Sequence, residues 1–432
     1  MGGALLSRGL GCRWKCGAAP LPHRAFCPRR SRMKIASSWS TARETEDAVA
    51  SLWTDVSTEL DALPDWVAFY PSVEHDADLT AKAMATHGGD TPIHGATSCL
   101  GVMTGAGFHA DDGAGMGMLA ISDPDGSYGV AAVSLGDDPK AAAQQALLDA
   151  MTNAGRIGEP PSLVWLAAVP GSEEALLAGI HAVIGTKVPI AGGSAADNTI
   201  EGRWRQFSAD GAHLDAVVIS VLYPSTPLHH SFHSGYLPTE TGGTITRAEG
   251  RRVFEIDGEP AGAVYARWSE GAIDEFIAEG GSILAASTMW PLGRVAGDAD
   301  ESDYVLAHPA TLHPDQSIEL FADVEEGDEL TLMHGSEQSL VSRAGRVATA
   351  ALVGGGIEPD QCAGALVVYC AGCMLAVQEN MDAVAEEMNQ ALGGRPFLGM
   401  FTFGEQGCFT GGDNYHGNLM ISVVAFEKAA AT

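Results

Sequence analysis

The chain has 432 residues, of which 46% are hydrophobic and 18% charged, with a formal net charge of −31. That length and apolar share exclude a disordered tail or a disulfide-stapled miniprotein and predict more than one core-bearing domain. Residues 1–43 carry nine Lys or Arg and no acid, so the rest holds 24 − 9 = 15 bases against 55 acids, a net of −40 that excludes a nucleic-acid or anionic-membrane surface.

The first 32 residues are Arg-rich (Arg8, Arg13, Arg24, Arg29, Arg30, Arg32), acid-free, and lack an apolar core of the roughly 7–15 residues that a secretory signal needs. They read as an organelle transit peptide for mitochondrion or chloroplast; translation from Met33 would instead leave the protein in the cytoplasm. From Met33, strand and helix signals alternate. Lys34 to Ser40 predicts a strand. Ala42 to Leu63 predicts an amphipathic helix stopped by Pro64. Trp66 to Val73 reads as a strand, Asp76 to Thr86 as a helix, Pro92 to Ser98 as a strand, and Gly101 to Gly113 as a Gly-rich loop. The turn Asp123-Pro124-Asp125-Gly126 joins two antiparallel strands, Gly115 to Ser122 and Gly129 to Leu135. Asp137-Asp138-Pro139 opens a helix to Asn153. Leu163 to Val169 is an apolar strand buried on both faces, and Gly171-Ser172-Glu173-Glu174 starts a helix to about Ile184.

The strand Val188 to Ala191 then leads into the polar turn Gly192-Gly193-Ser194-Ala195-Ala196-Asp197-Asn198. Arg203 to Phe207 and Ala216 to Leu222 close a first domain over residues 33–225. Residues 226–238 read as a linker containing His229, His230 and His233, and residues 239–432 as a second domain. In that domain, helices are expected from Pro260, over Ser336 to Leu352 and over Gln378 to Leu392. The strands include Gly364 to Cys370, Phe397 to Phe403 and Asn418 to Phe426. The fold class is α+β: two domains, each a mixed β-sheet with packed helices. No repeat of fixed period is visible. No apolar run reaches the roughly 18 residues that a membrane span needs.

Two segments carry candidate chemistry. In the first, Gly192 and Gly193 permit close backbone approach while Ser194, Asp197 and Asn198 offer donors and acceptors; a ligand loop and a tight turn bonding itself fit equally. In the second, Gly404-Glu405 follows a strand end, where open α/β sheets hold ligands, and a loop then presents His416 and Asn418. Cys370-Ala371-Gly372-Cys373 has CxxC spacing but lacks two further zinc ligands and reads as small buried thiols at a strand end. No nucleophile elbow, zinc-protease helix or phosphate-binding loop is present.

Taken in order, these pieces resemble the FIST sensory module. They are the start at Met33, Gly95-Ala96-Thr97-Ser98, Pro189 to Asn198, Thr246-Arg247-Ala248-Glu249-Gly250, Phe254 to Ala261, and the Gly404-Glu405 turn with its His/Asn loop. The resemblance covers about residues 33–427. It implies paired N- and C-terminal halves that sense a small polar ligand such as an amino acid, with Gly192, Gly193, Ser194, Asp197, Asn198, Gly404, Glu405, His416 and Asn418 as binding residues. It implies no cofactor, and output through a signalling partner protein, because the module fills the chain from Met33. Cys373 stands where the family has an Arg, so an anion clamp from that position is not expected. Two further readings remain: an enzyme using Glu405 as base with His416, and a gas sensor holding haem non-covalently through a His.

Overall fold

In the computed structural model, residues 33–296, 303–409 and 411–429 are described. The segment expected to be a transit peptide lies outside them. Three stretches share one pattern: strand, helix, strand, helix, strand, hairpin, strand. The first comprises β1 (Lys34–Ser40), α1 (Thr45–Leu60), β2 (Trp66–Pro71), α2 (Ala77–Gly88), β3 (Ile93–Ala96), the hairpin β4 (Val102–Thr104) with β5 (Gly107–His109), and β6 (Met116–Ser122). The second comprises β7 (Ser127–Ser134), α3 (Pro139–Asn153), β8 (Leu163–Ala168), α4 (Glu173–Ile184), β9 (Ile190–Ser194), the hairpin β10 (Gln206–Ser208) with β11 (Gly211–His213), and β12 (Ala216–Tyr223).

The third begins with β13 (Leu228–His233), which is followed by an inserted region. That insertion holds β14 (Leu237–Glu249), β15 (Arg252–Ile256), β16 (Glu259–Pro260), α5 (Ala261–Trp268), β17 (Gly281–Ser282), α6 (Leu284–Ser287), β18 (Leu292–Val295), β19 (Tyr304–Ala307), β20 (Pro309–Leu312), β21 (Ile318–Leu320) and β22 (Glu329–His334). The pattern resumes with α7 (Glu337–Gly355), β23 (Cys362–Cys370), α8 (Ala371–Ala376), α9 (Met381–Ala391), β24 (Phe397–Thr402), the hairpin β25 (Glu405–Cys408) with β26 (Asn414–Gly417), and β27 (Ile421–Glu427).

Each stretch builds four strands of one sheet and lends its hairpin to another. The orders are β1-β6-β2-β3-β10-β11, β26-β25-β9-β8-β12-β7 and β13-β27-β23-β24-β4-β5. In each sheet the second and third strands of a stretch run parallel, which requires the intervening helical crossover, and every other pair is antiparallel. The cyclic exchange of hairpins ties the two halves of the chain together: β24 pairs with β4, and β9 with β25.

The sequence reason is burial on both sheet faces. Trp66, Ala68 and Tyr70 of β2 point to a core shared with Leu163, Trp165 and Ala167 of β8 and with Leu366 and Val368 of β23. The alternate residues point outward under helices: Val67 and Phe69 under α1, Val164 and Leu166 under α3 and α4, Val367 and Tyr369 under α7 and α9. With side chains alternating faces along a strand, two buried faces demand an unbroken apolar run. Trp66 and Trp165 are fully buried, and each such side chain contributes roughly 2–3 kcal/mol by leaving water.

The structure departs from the sequence reading in three places. The Gly-rich loop after Gly101 and the polar loop after Gly404 both contain β-hairpins, because each finds a sheet edge far away in sequence. Residues 228–233, within the expected linker, form an edge strand paired with β27. The threefold pattern appears only in topology, because the inserted region separates the third stretch's first strand, β13, from its first helix, α7.

Candidate functional site

The parallel strands β8 and β9 end at Ala168 and Ser194, which are register partners; β23 and β24 end at Cys370 and Thr402, also register partners. Strand ends of this kind leave main-chain groups and loop side chains free to face a ligand. A cavity of about 200 Å3 lies beyond them. Pro170, Gly171, Glu173, Ile200 and Trp204 come from the second stretch, Arg251, Leu284, His308 and Phe321 from the insertion, and Cys370, Leu375, Thr402, Phe403 and Asn418 from the third. The wall is mainly aliphatic and aromatic, and Trp204 meets Phe403 edge-on at 6.1 Å.

One rim of the cavity is charged. Glu173 opens α4 and is 1% exposed. Its Oε1 accepts from the Ser194 hydroxyl at 2.7 Å, and its Oε2 accepts from Gly171 N at 2.9 Å and Arg251 Nη2 at 2.8 Å. Arg251 also donates to Glu174 at 2.7 Å and to Asp323 at 2.9 Å. Burial opposes ionisation of Glu173, but His416, Arg251 and Ser194 outweigh it and hold its carboxyl below the usual value. Burial likewise opposes the Arg251 charge, and Glu173 and Glu174 overcome it, raising its pKa further. Three carboxylates therefore meet one guanidinium, and the rim carries excess negative charge. Glu173, Glu174 and His416 place ligand atoms within 4.8 Å of one another. Arg251 already occupies both carboxylates, so a cation there would have to displace it.

The predicted binding residues fall into three groups. Asn418 lines the cavity, its Oδ1 accepting from His308 N at 3.1 Å. Ser194, Gly404 and His416 stand behind the charged rim. The Ser194 amide donates to Gly404 O at 2.8 Å, and a methyl on Gly404 would sit 2.6 Å from His416 Cε1 and 3.2 Å from Ser194 Oγ. Both ring nitrogens of His416 are engaged, Nδ1 with Gln406 Nε2 at 3.2 Å and Nε2 with Phe321 O at 3.2 Å.

The other five lie away from the cavity lining. Gly192 and Gly193 pair with Gln406 and Glu405 in the sheet; Gly192 has φ 149° and abuts the Leu166 backbone, so glycine is needed for packing. Asp197 is fully buried and accepts from the amides of Thr199, Ile200, Glu201 and Arg203, which locks its own turn. Asn198 accepts from Leu100 N at 2.7 Å and donates to Gly113 O at 3.3 Å, fastening that turn to the first stretch. Glu405 is buried beneath the cavity, accepting from Thr402 Oγ1 at 2.7 Å and Met420 N at 3.0 Å. Burial pushes its pKa up to about 8, against the pull of those two donors.

Glu405 does not partner His416 in an acid–base pair. In the hairpin Gln406 faces His416, and Glu405 faces Gly417. Successive strand side chains take opposite faces, so Glu405 and His416 are separated by the hairpin itself.

The sequence reading missed Glu173 and Arg251 as site residues. Glu173 was visible only as one of the residues that start a helix, a position that requires no burial. Its partner lies 78 residues further along the chain.

A mostly apolar cavity with a few convergent polar groups, set at strand ends between two interleaved halves, has the features of a small-molecule binding site. The FIST N domain matches residues 65–259 and the FIST C domain residues 261–408. The chain therefore belongs to the FIST family, whose two domains are small-ligand sensory domains, and the mixed sheets with packed helices are of the α+β class. The two domains divide the chain in sequence, and the hairpin exchange interleaves their strands in space. Uncharacterized protein MJ1623 of Methanocaldococcus jannaschii is 27% identical over 150 residues, 34% of this chain and 26% of that protein's length. Among solved structures, cyanuric acid hydrolase from A. caulinodans aligns with TM-score 0.35 and 10% identity, covering 91% of this chain and 99% of that one. T. maritima PurL complexed with ATP aligns with TM-score 0.20 and 8% identity, over 70% and 72% of the two chains. Among the described residues no helix is long and apolar enough to cross a membrane.

Proposed function

We propose that the cavity between the FIST halves binds a small amphipathic molecule, an apolar body carrying an ammonium group, of which an amino acid with an apolar side chain is the simplest case. The observation that supports this reading is the pairing of an aromatic and aliphatic wall with a rim of three carboxylates against one guanidinium. The ammonium docks at Glu173 by displacing Arg251 from it, in a charge-assisted contact, and the apolar body lies between Trp204, Phe321 and Phe403. Because Glu173 belongs to one FIST half and Phe403 to the other, a bound ligand bridges them and biases how the halves close. That bias is the signal, and a partner protein reads it.

A thermal-shift screen of the protein against amino acids, amines, organic acids and nucleotides tests this. A ligand at about 100 times its dissociation constant adds roughly 2.7 kcal/mol of stability. Stabilisation by cationic or zwitterionic amphipathic ligands, weakened by Glu173→Gln, supports the reading. Stabilisation by organic acids alone contradicts it. We further propose that residues 1–32 direct the protein to an organelle; a fluorescent protein fused behind them and remaining in the cytoplasm would refute that.

A further inference from the structure

Beneath the cavity floor lies a buried polar chain that the ligand site does not use. Cys370 ends β23 and lines the cavity while only 5% exposed. Cys373, three residues on in α8, is fully buried behind it. The Tyr236 hydroxyl lies 3.5 Å from Cys373 Sγ. Beyond the thiol stands Arg343, fully buried in α7, its guanidinium 4.9 Å from the Tyr369 ring centre and 5.7 Å from that of Tyr236. Its Nη1 donates to Leu419 O at 2.8 Å and to Ser234 O, while Nε and Nη2 have no partner. No carboxylate forms an ion pair with it among the described residues; the ionisable groups around it are Cys373, Tyr369, Tyr236 and Cys370.

A buried cation left without an anion is costly. We infer that Cys370 and Cys373 form a reversible dithiol–disulfide couple on the cavity floor, in which Arg343 holds Cys373 as the thiolate and the cavity admits small-molecule disulfides. Burial opposes ionisation of Cys373, but the Cys370 hydrogen bond and Arg343 outweigh it and lower its pKa, whereas burial raises that of Cys370. The neighbouring Glu405 is raised to about 8 and is neutral at pH 7, so it leaves the thiolate role to sulfur.

The Cys373 thiolate takes the Cys370 proton, and the Cys370 sulfur attacks one sulfur of the small disulfide. The S–S bond breaks, one small thiolate leaves, and a mixed disulfide remains on Cys370. The departing thiolate accepts the proton from Cys373, whose sulfur attacks that of Cys370 and expels the second small thiolate. The protein loses two electrons and the small disulfide gains them, leaving as one thiol and one thiolate. This chemistry is independent of which ligand the cavity senses.

The test is incubation of the whole protein with oxidised glutathione, followed by alkylation and peptide mapping. The expected result is joint protection of Cys370 and Cys373, reversed by reduced glutathione, with Cys373→Ser trapping one glutathionyl group on Cys370. Both thiols alkylated after prolonged incubation, or a wild-type mixed disulfide that Cys373 never resolves, overturns the inference. Arg343→Met should slow exchange at pH 7 at least tenfold, and an unchanged rate removes Arg343 from the account. Should that variant fail to fold, the wild-type pH–rate profile decides: a plateau reached well below the ordinary thiol range supports a held thiolate, and a rate still climbing through that range refutes it.

Discussion

Two glutamates, equally hidden from water, are set to opposite charge states by their neighbours. Glu173 sits at the cavity rim with Arg251, Ser194 and a backbone amide directed at it, and it stays ionised. Glu405, on β25 opposite Gly193, has a hydroxyl and one amide, and burial pushes its pKa up to about 8. A buried carboxyl is thus no functional signal by itself. Its partners decide whether it offers a ligand a charge or packs as a neutral acid.

The largest effect should come from stripping one side of the contrast. Arg251→Met leaves Glu173 buried against an incomplete set of donors, and a loss of about 3–5 kcal/mol is expected in urea denaturation at pH 7. Glu405→Gln, measured below the ordinary Glu value where the carboxyl is uncharged both folded and unfolded, should cost within about 1 kcal/mol, since an uncharged group replaces an uncharged group. Equal losses at the two sites would break the comparison. Gly404 stands between the two regions, and Gly404→Ala drives a methyl against His416 and Ser194. Equilibrium unfolding should record a loss of about 1–3 kcal/mol for that overpacking, and a neutral result would mean that the rim is loosely held.

The pH dependence sharpens the contrast through its sign. A carboxyl raised in the folded state, as Glu405 is, contributes stability that is full below its ordinary value and is lost as pH rises through about 8. Measured in a Cys373→Ser background, so that the adjoining thiol does not titrate, the parent should lose about 1.4 kcal/mol per pH unit relative to Glu405→Gln across that window. Glu173 is lowered, so its contribution is present above the ordinary carboxylate range and is lost as pH falls through its folded value. The difference between wild type and Glu173→Gln should therefore shrink with acid. Slopes of the same sign at both sites would refute the assigned charge states.

Much of the scaffold was legible in the sequence because double burial writes itself as apolar runs: Trp66 to Tyr70, Leu163 to Ala168 and Leu366 to Tyr369 are strands on both readings. Helix starts were legible as well, with Asp76 and Asp138 accepting from backbone amides at their N-caps. The hairpins at Val102 and Glu405 were not, because their short polar strands exist only by pairing with edges supplied from other stretches. For the site, Asn418 and the meeting of the Gly192 and Gly404 segments were readable from glycine and polar turn chemistry. Glu173 and Arg251 were not, since their significance arises from burial and from a contact across 78 positions. Cys370 and Cys373 read as plain thiols because Arg343 lies in the expected helix Ser336 to Leu352, where nothing in the sequence marks it as buried.

Leu375 offers the most direct test of the cavity as the ligand site. It lines the cavity yet is 46% exposed, so Leu375→Arg should leave the fold intact while placing a cation at the mouth. With the amphipathic amine or amino acid that stabilises wild type most, this variant should show its thermal shift reduced at least tenfold in apparent affinity. A shift identical to that of wild type would place the ligand elsewhere and contradict the account.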